Sequence, residues 1–248
     1  MEKKLKKISK TVNYNLNNYL LKFDNSELIK PMRYGLLPGG KKIRSKIIFD
    51  VGKIFKVKNQ DLLALAASVE AIHAYSLIHD DLPCMDDDKL RRGKPSTHIK
   101  FGESTAILAG NSLLTTAFEI LSDKNFKVED KIKSRLINFL SRCSGQTGIA
   151  GGQYLDLSYE NKKVSLQKII NMELKKTGKL FEFCCVAPLL IKKNKKNLKS
   201  FSKIGKDIGL LFQIVDDLID FKGKTKLVGK KTKKDIKKGK ATIISLLG

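Results

Sequence analysis

The chain has no tryptophan, and aromatic residues make up only 7% of it, with none interleaved among its basic runs. A surface that stacks on bases needs rings spaced among cations, so no specific nucleic-acid partner is expected. Cysteine is scarce as well. Cys84, Cys143, Cys184 and Cys185 form no CxxC pair and have no histidine at zinc-finger spacing, which argues against a zinc module and fits a reducing cytoplasm. No uncharged apolar run reaches the roughly 18 to 20 residues that cross a bilayer, so no transmembrane segment is expected, although a hydrophobic substrate would draw the chain towards membranes. The basic start "MEKKLKKISK" is followed by no apolar stretch with a small-residue cleavage site and reads as an exposed helix start.

What the chain has in excess is lysine. Against 25 Asp+Glu stand 49 Lys+Arg, a formal charge of +24 that favours anionic partners such as phosphorylated metabolites, though many single lysines are plain solvated surface. The hydrophobic share of 42% suffices for a sizeable core. Apolar positions recur at i, i+3, i+4 and i+7, as at Leu62, Leu63, Ala66, Val69 and Ile72, and alternating strand patterns are hard to find. The pattern predicts an all-α protein, with helices over about 3–22, 26–34, 41–56, 60–80, 102–122, 128–144, 164–190 and 198–221 and a last one from about 240. Loops are expected at "LLPGGKK", "RRGKPSTH", "GIAGGQYLDLS" and "KGKTKLVGKKTKKDIKKGK". The economical reading is one domain, a single large helical bundle around a central cavity, with function on loops and helix ends.

The stretch "YSLIHDDLPCMDDDKLRRG" packs Asp80, Asp81, Asp86, Asp87 and Asp88 close together and follows them with Arg91 and Arg92. Carboxylates this close repel strongly where water is scarce, so the cluster calls for a cation. In an unbroken helix Asp80 and Asp86 would point about 240° apart, so the helix must break or bulge near Pro83 to bring them together. A second cluster, Asp216, Asp217 and Asp220, lies in the apolar run "FQIVDDLIDF", where Asp216 and Asp220 share a helix face. Magnesium takes one or two hard carboxylates and leaves its other positions to water and phosphate oxygens, which suits two such clusters acting as a clamp.

Cations complement the acids. Gly39 and Gly40 precede Lys41, Lys42 and Arg44 at a predicted helix start, where backbone N–H groups and the helix dipole favour an anion such as a diphosphate. The Walker pattern GxxxxGK[ST] is absent, which argues against nucleotide hydrolysis. Arg91 and Arg92 suit bidentate pairing with phosphate, and Lys176, Thr177, Lys230 and Lys240 add cationic and hydroxyl partners. His73 lies two turns before Asp80 on roughly the same face.

With these motifs the sequence resembles the trans-isoprenyl diphosphate synthases, nearest their bacterial farnesyl diphosphate branch. "GGKKIR", "DDLPCMDDDKLRRG", "GGQYLDL", "KKTGKL" and "FQIVDDLIDF" match the family's motifs in the family's order. The resemblance implies the isoprenoid synthase fold, usually a homodimer, with two or three Mg2+ ions per active site. It implies condensation of isopentenyl diphosphate with dimethylallyl or geranyl diphosphate to farnesyl diphosphate. By motif, Lys41, Arg44, His73 and Arg92 resemble the isopentenyl diphosphate site. Arg91, Lys176, Thr177, Gln213, Lys230 and Lys240 resemble the allylic site. Asp80, Asp86 and Asp216 resemble the magnesium ligands, with Asp220 helping. Tyr75, about 7.5 Å below Asp80 along the helix, and its neighbour Ser76 resemble the chain-length floor.

The sequence departs from the family at Ser45, where proline is usual, and at Lys42, where arginine is commoner. It also stops at "GKATIISLLG", where relatives continue through further helices, so the family's last C-terminal helices are expected to be missing. Geranylgeranyl and geranyl diphosphate synthases remain alternatives. A class I terpene cyclase needs no second diphosphate site, which Lys41, Arg44 and His73 supply here. A catalytically silent partner subunit and a basic helical nucleic-acid-binding protein are the non-enzymatic alternatives.

Overall fold

The computed structural model describes residues 2–22, 26–37, 39–222 and 239–247. Among these, helix dominates, as expected. The elements are α1 (Glu2–Leu20), α2 (Ile29–Leu36), α3 (Ile43–Ile54), α4 (Asn59–Asp80), β1 (Leu90–Arg91), β2 (Lys94–Pro95), α5 (Thr97–Phe101), α6 (Glu103–Ser122) and α7 (Asp130–Ser144). They continue with α8 (Ile149–Ser158), α9 (Leu166–Glu173), a π-helical turn (Leu174–Gly178), α10 (Lys179–Ile191), α11 (Leu198–Lys222) and α12 (Ile243–Leu247). Two compact units are built from them. One comprises residues 1–137 with 187–195, the other 138–186 with 196–248.

In the first unit α4 is the core element. It is apolar nearly all round, with Leu62, Leu65, Ala66, Val69, Ile72 and Ile78 buried, the mark of a helix enclosed by protein. By length and composition α4 passes for a bilayer span, but 72% of its most apolar window is buried within the protein. Along it runs α6, whose buried Ala106, Ala109, Leu113, Ala117 and Leu121 keep a face of helical period against it, and α3 packs on it too. Where α4 ends, Asp81 caps it, and Pro83 prevents the helix from resuming directly.

In the second unit α10 carries the buried Phe181, Phe183, Cys184 and Cys185. Phe139 and Phe183 rings sit 5.4 Å apart, and those of Phe181 and Phe212 5.3 Å. A smaller cluster of Ile169, Met172, Ala241 and Ile243 ties α9 to the start of α12, which fixes the position of Lys240.

Three local expectations need correcting. The stretch "GIAGGQYLDLS", read as a loop from its glycines, is helix α8. Its Ile149, Gly152, Gln153 and Asp156 are buried. A Cβ at Gly152 would come within 2.2 Å of the Lys176 backbone nitrogen, so this glycine allows a close helix approach and does not mark a turn. The helix expected over 164–190 is α9 and α10 joined by the π turn, which widens the backbone where Lys176 and Thr177 lie. Finally, the "RRGKPSTH" loop, with Leu90 just before it, forms a two-residue antiparallel ladder, Leu90 opposite Pro95 and Arg91 opposite Lys94, and then enters the short α5.

Candidate active site

In the first unit the acidic cluster is shaped by backbone bonds. The helix breaks after Asp80 as required, and the Asp86 N–H then donates to the Asp80 carbonyl at 2.8 Å, while the Asp88 N–H donates to the Asp81 carbonyl at 3.1 Å. Asp87, at φ 44, makes the reversal possible. Asp80 and Asp86 are thus neighbours, both half-buried. Asp81 and Asp88 are buried and serve a different end, since Arg91 pairs with both. Arg91 Nε donates to Asp81 at 3.0 Å and its Nη2 approaches Asp88 at 3.4 Å, so this guanidinium is held beside the cluster by carboxylates.

The hairpin explains why adjacent arginines part. Arg92 and Gly93 both have positive φ, 55 and 74, as a two-residue hairpin turn of this hand demands. Arg91 faces the acids, while Arg92 lies over the Gly39–Gly40 turn and donates from Nη1 to the Gly39 carbonyl at 3.3 Å. Gly39 and Gly40 are at φ 71 and 80, and a Cβ on Gly40 would meet the Arg92 guanidinium at 2.9 Å. Next along the chain, Lys41 is exposed, but Lys42 is buried, with its Nζ 3.3 Å from Glu70. Arg44 Nη1 lies 3.3 Å from His73 Nε2. Arginine only donates, so His73 accepts there and is neutral. Burial, reinforced by Arg44, Arg92, Lys42 and Arg91, holds its pKa well below the usual histidine value. Lys41, Arg44, His73 and Arg92 therefore collect around one glycine turn. On α4, the Tyr75 ring meets His79 edge-on at 5.4 Å, and Ser76 Oγ bonds its own helix at the His73 carbonyl.

In the second unit α8, the π turn and α11 bring the other residues together. Asp156 on α8 accepts from Lys176 Nζ at 2.5 Å and from Lys240 Nζ at 3.0 Å through the same oxygen. Burial alone would raise its pKa, but the two ammonium groups outweigh it and hold the carboxyl at about 2. Thr177 Oγ1 donates to Gln213 Oε1 at 2.9 Å, and Gln213 Nε2 donates on to Asp217 at 2.8 Å. Asp217 and Asp220 are buried, and Asp216 is half-buried. Glu173, 3% exposed at the end of α9, is pushed by burial to about 8, with Asp217 and Asp156 adding to the rise. Lys230 lies outside the described residues.

Sequence reasoning missed several of these roles. Asp156 sat within a quoted motif but was given no function, and its signal was an acid inside an otherwise apolar run. Glu70, which engages both Lys42 and Ser45, lay unremarked in the apolar α4 pattern, as did Glu173 in α9.

Among the described residues no three His, Cys, Asp or Glu side chains gather to hold an ion unaided. An ion such as magnesium takes one or two carboxylates and fills its shell with water and phosphate oxygens, which is what the neighbouring Asp80 and Asp86 could offer.

Comparison with known proteins agrees with this chemistry. The farnesyl diphosphate synthase of Escherichia coli is 43% identical over 244 residues, 96% of this chain and 82% of that protein. Among solved structures, an FPP/GFPP synthase from Zymomonas mobilis superposes with a TM-score of 0.86 at 36% identity, covering 100% of this chain and 87% of that one. A geranyltransferase from Helicobacter pylori, complexed with magnesium and isoprenyl diphosphate, gives 0.82 at 33% identity over 97% of this chain and 84% of that one. The family model described as Polyprenyl synthetase matches residues 25–248, and on that match and these identities the chain belongs to the polyprenyl synthetase family.

Proposed function

We propose that the protein is a prenyltransferase that joins isopentenyl diphosphate to dimethylallyl or geranyl diphosphate and yields farnesyl diphosphate. The observation that carries this reading is the turn after α4, where Asp86 folds back onto Asp80 and the hairpin sets Arg91 beside the acidic cluster while Arg92 turns to Gly39. The family match runs through both units, which supports treating them as one catalytic domain. The family resemblance also carries a homodimer in the cytoplasm, and the four cysteines are free thiols, as a reducing compartment leaves them.

Asp80 and Asp86, and Asp216 with Asp220, would hold two or three Mg2+ ions. When bound, the ions supply positive charge against the diphosphate as its bond to the allylic carbon breaks. Lys176 and Lys240, aligned by Asp156, grip the allylic diphosphate together with Thr177, Gln213 and Lys230, while Arg91 adds charge from its pair with Asp81. Lys41, Arg44 and Arg92 bind the second diphosphate, and neutral His73 orients Arg44. These fixed charges meet charge that grows as the allylic bond ionises, so they stabilise the transition state more than the ground state. The double bond of isopentenyl diphosphate attacks the allylic cation, and a proton then leaves to the released diphosphate. The chain supplies no nucleophile. Tyr75 closes the space for the growing product, which favours fifteen carbons.

Incubation with isopentenyl diphosphate and geranyl diphosphate, with products read by mass, tests the reading. The expected result is a fifteen-carbon diphosphate with magnesium and none after chelation. A protein that makes no prenyl product with magnesium, or makes it equally without, contradicts it.

A further inference from the structure

Beneath the start of α3 lies a buried polar group that the reaction as described leaves unused. Glu70 on α4 is 3% exposed, and both its oxygens are engaged: Ser45 Oγ donates to one at 2.7 Å, and Lys42 Nζ lies 3.3 Å from the other. Ser45 and Lys42 are themselves 0% and 6% exposed, and Lys42 Nζ also donates to the Leu36 carbonyl at 3.0 Å. Lys42 is the residue before the first turn of α3 and has left-handed backbone angles, φ 48 and ψ 47. A side chain disfavours that conformation, which persists only where its surroundings hold it. Here the holding contact is a charge pair shut away from water, and neither partner can leave without stranding the other.

The reversal at Lys42 has consequences on both sides. It leaves Lys41 exposed beside the glycine turn, and it starts α3 in the phase that lets Arg44 reach His73 while Ser45 faces Glu70. Glu70 and His73 are three residues apart on α4 and so nearly share a face. One turn of α4 thus supplies both the imidazole and the anchor that sets its partner.

We propose that Glu70 is a positioning residue for the isopentenyl diphosphate subsite, and that Ser45 and Lys42 share the task of holding it. A lysine is a point charge and satisfies one oxygen well, so the second needs the serine hydroxyl. An arginine at position 42 can meet both oxygens with its planar fork, which makes the hydroxyl dispensable. Lys42 and Ser45 are therefore coupled through one carboxylate. This inference rests on the prenyltransferase reading only in naming the diphosphate that Lys41 and Arg44 bind.

Glu70→Gln strands the buried Lys42 charge and destabilises the fold itself, so the informative series is Ser45→Ala, Lys42→Arg and the double variant. Metal-free calorimetry with isopentenyl diphosphate and with inorganic diphosphate reads the subsite directly, and steady-state kinetics read both substrates. Ser45→Ala is expected to weaken isopentenyl diphosphate binding and raise its KM about tenfold, with the KM for geranyl diphosphate held within about twofold. Lys42→Arg alone is near neutral, and in the double variant it restores most of the loss. Unchanged binding in Ser45→Ala overturns the proposal, as does an equal change in both KM values without rescue. A wild-type protein that binds isopentenyl diphosphate but forms no product overturns the prenyltransferase reading, and the same binding series still decides the role of Glu70. A wild-type protein that binds neither diphosphate overturns both.

Discussion

In the proposed reaction, single residues divide into those that meet substrate and those that hold them in place. Lys176 and Lys240 converge on one oxygen of Asp156, so Asp156→Asn should release both ammonium groups and lower kcat/KM for the allylic substrate by about a hundredfold. Asp156 also makes a pH prediction. Its folded pKa of about 2 lies below the unfolded carboxylate value, so its contribution is fully present above about pH 4 and is lost as pH falls towards 2. Glu173 has the opposite sign. Its folded value of about 8 means the native state keeps a proton that the unfolded chain has given up above about pH 4.5. Stability should therefore decline as pH rises from there towards 8, and Glu173→Gln should flatten that decline in urea unfolding followed across the range. An unaltered slope in Glu173→Gln would show that the proton is held elsewhere. Tyr75→Ala removes the ring below Asp80 and should lengthen the product beyond fifteen carbons. An active variant with an unchanged product distribution would place the floor at another residue.

At the scale of elements, periodicity was the reliable signal. The long helices α4, α6 and α11 fall within two residues of their expected positions because each repeats apolar side chains over five or more turns. Short elements carry too few repeats to be seen this way. The π turn depends on how α9 and α10 pack, the hairpin strands are two residues each, and α8 hides behind Gly151 and Gly152 because only the approach of Lys176 reveals why a glycine is there. The same limit applied to the site. Cations and acids were legible as motifs, but Lys176 with Asp156 and Ser45 with Glu70 are pairings between separate stretches, which no local pattern encodes, and even within one stretch the motif did not say that Arg91 would choose Asp81. The break after α4 makes a checkable statement about chemistry. Cys84 in that turn is exposed, whereas Cys143, Cys184 and Cys185 are buried, and burial pushes the Cys143 and Cys185 thiols up to about 12. A thiol reagent at neutral pH should label Cys84 alone in the folded protein and all four cysteines after unfolding. Rapid labelling of a second cysteine without denaturant would show that the core around α7 and α10 opens.

For the whole molecule, the formal charge of +24 and the two acidic clusters act together. The excess of lysine draws phosphorylated substrates towards the protein, an effect that weakens as salt rises. On the proposed reading the acids make productive binding depend on a divalent ion, so magnesium with inorganic diphosphate at about a hundred times its Kd should stabilise the fold by about 2.7 kcal/mol. Lysine alone would give a binder of any polyanion, and acids alone would repel every diphosphate. What the proposal requires is that Asp80 and Asp216 serve one substrate. Diffraction from crystals grown with Mn2+ and a non-ionisable allylic diphosphate analogue measures this most directly, because anomalous scattering locates each ion. The predicted result is ions on Asp80 and on Asp216 bound to oxygens of the same diphosphate. Ions at one cluster only, or the two aspartates opening onto separate surfaces, would contradict it.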